Sequence, residues 1–206
     1  MRVVQAINNT LHKLMSEYKD LIIIGEDILD PYGGAFKATK GLSTIYPKRV
    51  ITTPVSEESL IGFASGLAMQ KKPVIVEIMF GDFLGLAFDQ IINHISKFIW
   101  MFKDVSIPLI IRTPMGGGRG YGPTHSQSIE KHFCGISGLN VIAINQFMNI
   151  EKVYFNSMKS QKPVLLIENK ILYGRELKKD FKFPNHDKPD VTCVTYGGSV
   201  EICVNA

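Results

Sequence analysis

A chain of 206 residues, 45% hydrophobic and 20% charged, is long enough to bury the core of one globular domain and to carry part of another. Its net charge of +4 comes from interspersed acids and bases, and the densest basic cluster, Lys178-Lys179 with Lys182, falls in a polar stretch, so no nucleic-acid groove is expected. The three cysteines form no CxxC pair and the apolar runs are too short or too interrupted to cross a bilayer, so the expectation is a soluble, cytoplasmic protein without zinc, disulfides or a membrane partner.

Apolar residues at Val3, Val4, Ile7, Leu11 and Leu14 recur at helical spacing, and Leu21-Ile22-Ile23-Ile24, ending at Gly25, reads as a buried strand. The alternation continues with a short strand at Val50-Ile51-Thr52, a helix at 57–70, a strand from Pro73 to Ile78 and a long helix at 83–102. A strand from Leu109 to Arg112 follows, then a loop at 114–128 and a short helix near 129–134. A strand at 140–144, a helix at 149–160 and a strand at 163–167 complete the series. Strands that are apolar throughout, separated by helices, predict a mostly parallel sheet covered on both faces, a three-layer αβα sandwich. Residues 1–175 are taken as this domain. Residues 176–190, rich in Lys, Asp, Pro and Asn, read as a linker. Beyond it, Val191 to Tyr196 reads as a new strand, Gly197-Gly198 as a turn and Val200 to Ala206 as a helix, so 191–206 would begin a second α/β domain and leave it incomplete.

Ligands of such sheets bind beyond the carboxyl ends of the strands, which directs attention to the loops found there. Gly25-Glu26-Asp27 through Tyr32-Gly33-Gly34 combines acids with glycines and also fits a plain surface turn. Glu77-Ile78-Met79-Phe80-Gly81-Asp82-Phe83 leads into a helix carrying Asp89-Gln90 and Asn93; on composition alone Phe83 reads as core. Arg112 to Ser128 holds five glycines in seven residues at its centre, but neither the GK[ST] ending of a P-loop nor the GxGxxG context of a dinucleotide site. His125, ahead of Ser126-Gln127-Ser128, can act as an acid, a base or an anion donor, and equally fits a solvated loop. His12, His94, His132 and His186 show no metal-ligand spacing, and no metal site is expected in this chain.

Glu57 is the most informative position. It follows Ser56 at the mouth of the small, apolar run Leu60 to Met69, and a carboxylate on the buried side of such a helix must be neutralised, hydrogen-bonded or used. The competing explanation is helix capping: Ser56 closes the N-terminus while Glu57 and Glu58 complement its dipole from the solvent side.

Taken in register, Gly25-Glu26-Asp27, Tyr32-Gly33-Gly34, Gly41-Leu42, Thr53-Pro54-Val55-Ser56-Glu57, Glu77-Ile78-Met79, Asp89-Gln90 with Asn93, Arg112-Thr113-Pro114 and His125-Ser126-Gln127 resemble the beta subunit of thiamine-diphosphate-dependent 2-oxo acid dehydrogenases. That subunit, from the decarboxylating component of the pyruvate, branched-chain and acetoin complexes, carries the transketolase-like pyrimidine-binding domain. The similarity runs from about residue 2 to 173 and onto the linker and the first strand of the family's C-terminal domain.

The resemblance implies an oxidoreductase subunit whose cofactor is thiamine diphosphate. Activation of thiamine requires a carboxyl touching N1′ of the pyrimidine ring, and similarity puts Glu57 there, with a dry apolar helix behind it. Phe83 matches the aromatic residue that packs on the pyrimidine face. His125 matches the histidine at the reacting side, where it steadies the substrate and assists acyl transfer to a lipoyl group. The glycine-rich loop would be the wall through which substrate or lipoyl arm enters. The superfamily's diphosphate-and-Mg2+ segment, GDG with a later Asn, does not occur in this sequence. The resemblance therefore implies an alpha subunit that supplies that half of the site, an alpha2beta2 heterotetramer, a lipoyl domain of an acyltransferase as acceptor and a small 2-oxo acid as substrate. Without the alpha partner the chain would be inactive.

Two departures from the family pattern stand out. Glu58-Ser59 follows Glu57 where a small or apolar residue and Gly are usual, and Arg119 and Tyr121 stand among mostly small residues. Two alternatives remain at this level. One is half of another superfamily enzyme, a split transketolase or a deoxyxylulose phosphate synthase-like protein, distinguished by sugar-phosphate acceptors. The other is a noncatalytic, truncated interaction module.

Overall fold

In the computed structural model, which describes residues 1–185 and 187–206, six strands form one sheet in the order β2-β1-β3-β4-β6-β5, with every pairing parallel. The strands are β1 (Ile22–Gly25), β2 (Val50–Thr52), β3 (Val74–Glu77), β4 (Leu109–Met115), β5 (Asn140–Ile144) and β6 (Val164–Asn169). The helices are α1 (Val3–Glu17), the short α2 (Leu42–Ile45), α3 (Glu57–Met69), α4 (Ser96–Met101), α5 (Ile150–Lys159) and α6 (Val200–Asn205). His186, one of the histidines set aside above, lies outside the described residues.

The period of two along each strand divides its side chains between two apolar layers. Ile23, Ile75 and Ile110 point to the face covered by α1 and α5, where they meet Ile7, Leu11, Leu14 and Tyr154. Their neighbours Ile24, Val74, Val76 and Ile111 point to the opposite face, against Leu60, Ile61 and Ala64 of α3 and Ile91 of the following helical segment. This is the three-layer αβα sandwich. The central strands β3 and β4 are buried along their whole length, and each fully buried aliphatic side chain contributes about 1.5–3 kcal/mol.

Local signals set the ends of the elements. The N–H of Arg2 donates to the Gln5 side chain at 2.9 Å at the start of α1, and Asn149 caps α5 by accepting from the N–H of Lys152 at 2.9 Å.

Three segments differ from expectation. The helix expected at 83–102 opens as a 3-10 turn (Gly81–Gly85), continues as a π-helix (Gln90–Ile95) and only then becomes α4. Gly81 and Gly85 weaken the α-helical preference at its start. The short helix near 129–134 is a single 3-10 turn, Glu130–His132. Residues 191–196 form no strand: Val191 is 83% exposed and Val194 94% exposed. An apolar run becomes a strand only where a neighbour takes its backbone hydrogen bonds, and none of the six strands pairs with it. The described residues contain no helix long and apolar enough to cross a membrane.

Candidate functional site

Strands β1 and β2 run side by side and deliver two acids to the carboxyl edge of the sheet. Glu26 directly follows β1 and Glu57 opens α3; both are buried, 2% and 4% exposed. The backbone N–H of Ser56 donates to Glu26 Oε1 at 3.1 Å, which ties the two loops together. Burial raises the Glu26 carboxyl above the ordinary range, and the charge of Glu57 raises it further. Among the described residues, the Glu57 carboxylate accepts no hydrogen bond and forms no ion pair. Helix capping accounts for neither group. Ser56 makes no side-chain cap bond, its hydroxyl pairing with that of Ser59 at 2.9 Å, and only Glu58 faces solvent. Nearby in sequence, the buried Thr53 hydroxyl also lacks a partner.

Beyond β3 and β4 the edge changes from acidic to aromatic. The chain turns at Gly81, where a Cβ would stand 2.6 Å from the Met115 methyl, and this close approach places Phe80 and Phe83 on either side. The long loop after β4 returns through a 3-10 turn, Pro123–His125, and sets His125 edge-on to both rings. Its ring centroid lies 4.7 Å from Phe80 and 5.2 Å from Phe83, with interplanar angles of 89° and 81°. Tyr121 and Phe36 close the cluster. His125 Nδ1 shares a hydrogen bond of 2.9 Å with the Thr124 hydroxyl. The structure thus brings Phe83 and His125 together, while the charge of Glu57 is felt at Glu26.

Below this edge lies a buried ionic network that was not visible as a unit in the sequence. Arg112 on β4 sits between Glu77 on β3 and Glu168 on β6 and pairs with both. Tyr154 and Tyr173 donate their hydroxyls to Glu168, and Arg112 Nε also reaches Glu168 at 3.0 Å. Burial alone would lower the Arg112 pKa, but the two carboxylates hold it well above its ordinary value; burial raises Glu77 against the pull of Arg112. Single charged residues inside the apolar strands, in IVE, IIR and LLIE, were the available sequence signal. Lys170, also fully buried, gave none. No group of three or more His, Cys, Asp or Glu is gathered to hold a metal ion among the described residues.

Comparison with known proteins places the chain. The family model described as "Transketolase, pyrimidine binding domain" matches residues 1–176. The acetoin:2,6-dichlorophenolindophenol oxidoreductase subunit beta of Cupriavidus necator is 33% identical, over 98% of this chain and 65% of its own length. The pyruvate dehydrogenase E1 component subunit beta of Staurastrum punctulatum is 35% identical, over 84% of this chain and 53% of its own. The chain thus spans less than two thirds of the length of these curated relatives. A solved structure titled as a split gene transketolase, inactive beta4 tetramer, superposes with a TM-score of 0.66 at 18% identity, covering 94% of this chain and 56% of the other, a likeness of fold alone. With most of its length matched by the domain model, the chain belongs to the transketolase pyrimidine-binding domain family.

Proposed function

We propose that the chain is the beta subunit of a thiamine-diphosphate-dependent 2-oxo acid dehydrogenase and holds the aminopyrimidine half of the cofactor. The observation that carries this reading is the buried Glu57 carboxylate, unpartnered among the described residues at the carboxyl edge of a parallel sheet. A carboxylate left without a partner at the carboxyl edge of such a sheet stands where ligands of this fold bind. The fit to an aminopyrimidine is chemical: a protonated ring nitrogen can take the open carboxylate, and the aromatic cluster of Phe80 and Phe83 offers a flat ring apolar surface.

Thiamine diphosphate, when bound, supplies the electron sink that a 2-oxo acid needs in order to lose carbon dioxide. Within the proposal Glu57 holds the proton at the pyrimidine nitrogen. Glu26, held by the Ser56 N–H, ties the loop after β1 to the start of α3 and so fixes where Glu57 stands. Phe83 packs against the ring. His125 steadies the substrate carboxylate or carbonyl and assists acyl transfer.

An alpha subunit supplies the diphosphate and Mg2+ groups that have no GDG counterpart in this sequence, completing an alpha2beta2 heterotetramer in the cytoplasm. The acyl acceptor is the lipoyl domain of an acyltransferase. Residues 176–190 serve as the linker, and 191–206 begin a C-terminal domain. The test is reconstitution with an alpha-type partner, thiamine diphosphate and a lipoyl domain. Decarboxylation of a 2-oxo acid is expected from the pair and not from this chain alone. Turnover with sugar-phosphate acceptors and none with lipoyl domains would instead assign the chain to a split transketolase.

A further inference from the structure

Lys170 directly follows β6, opens the 3-10 turn Lys170–Gly174 and is fully buried. Taking an ammonium group out of water is expensive unless hydrogen bonds and nearby charge make up for it. Its Nζ donates to the main-chain carbonyl of His125 and lies 5.0 Å from the Phe80 ring centroid and 5.6 Å from that of Tyr121. Burial lowers its pKa below the ordinary value, the nearby Asp82 opposes that shift and Arg119 adds to it.

Asp82 takes hold of the same loop from the other side. Its Oδ1 accepts from the N–H of Gln127 at 3.0 Å, and the Gln127 carbonyl accepts from the N–H of Gly116 at 3.0 Å. A cation reaching from the end of β6 and an anion reaching from the turn after β3 therefore grip residues two apart. The grip matters because the outgoing half of the loop has little shape of its own: Gly116 and Gly118 stand at φ +89° and +78°. The contacts of Lys170 and Asp82 add holds on the main chain at His125 and Gln127 from outside the loop.

We infer that Lys170 is the positioning residue for His125, fixing its main chain so that the imidazole stays edge-on to Phe80 and Phe83. The inference rests on the proposal that His125 faces the reacting end of the site. It extends that proposal to a residue 45 positions away in the chain that acts through the His125 main chain.

The experiment uses the complex with the alpha-type partner and compares wild type, Lys170→Met and His125→Ala. In Lys170→Met, amide hydrogen exchange at Gly116, His125 and Gln127 should accelerate by about tenfold while the amides of Ile75 and Ile111 keep their protection. Its kcat should fall by a similar factor, with KM and thiamine diphosphate affinity held to within about twofold. Unchanged exchange at the three loop amides overturns the inference. So does faster exchange with full turnover in a complex whose His125→Ala variant is inactive. Wild-type turnover by His125→Ala would instead remove the role given to His125, and the exchange data would still decide whether Lys170 orders the loop. Should Lys170→Met fail to fold, Lys170→Gln, which keeps a polar head but shortens its reach, carries the same readouts.

Discussion

Glu77 and Glu168 lie deep in the sheet with Arg112 between them and tyrosine hydroxyls around them, whereas Glu26 and Glu57 lie at its carboxyl edge, where burial and then the charge of Glu57 raise the Glu26 carboxyl. All four acids are buried, yet only the first pair has a cation among the described residues. The deep network is closed: its charges find partners within the chain, and it joins β3, β4 and β6. The edge pair is open: Glu26 accepts one backbone N–H, and the Glu57 carboxylate is left for something else to complete. Stability and function are thus written in the same residue type on one sheet, separated by whether the chain satisfies its own charge.

Breaking the closed network should give the largest effect. Arg112→Met leaves two carboxylates buried without their cation, and urea denaturation should register a loss of about 3–5 kcal/mol. A loss well below this would mean that the network is not closed as described. Tyr173→Phe removes a single hydroxyl donated to Glu168 and should cost about 1.5–3 kcal/mol in the same assay.

The edge pair should respond with the opposite sign. Folding raises the Glu26 carboxyl, so the folded chain holds that proton more tightly than the unfolded chain. The Glu26 contribution is therefore most favourable below the ordinary carboxylate range and declines as pH rises through the window up to the raised folded value. Glu26→Gln keeps an acceptor for the Ser56 N–H and removes this decline. Thermal melts should show the variant at least as stable as wild type at neutral pH, with less loss between acid and neutral pH. A clear destabilisation at neutral pH would place Glu26 among the closed, structural acids.

Most of the sheet was legible because its strands are buried on both faces: Ile22 to Gly25, Val50 to Thr52 and Asn140 to Ile144 are continuous apolar or near-apolar runs bounded by turn residues. The segment after Phe80 was legible as helical but not in kind, since the choice among 3-10, π and α geometry rests on packing against α3 and β4. Val191 to Tyr196 has the composition of a strand, and pairing decides the outcome rather than composition. At the site, Glu57 and His125 stood out because a carboxylate before an apolar helix and a histidine after a glycine-rich loop are local anomalies. Glu168 and Lys170 did not, because their partners are far away in the chain: 56 residues separate Arg112 from Glu168, and 45 separate His125 from Lys170. Glu26 was visible only as part of a turn, and its meaning came from the parallel pairing that sets β1 beside β2.

The most direct measurement is made on Glu57→Gln, read for stability and turnover in one preparation of the reconstituted complex. An open, ligand-directed carboxylate predicts a denaturation midpoint equal to or above that of wild type, together with a loss of decarboxylation of about 10²–10⁴-fold. A variant that turns over like wild type, or one that unfolds as readily as Arg112→Met, would contradict it.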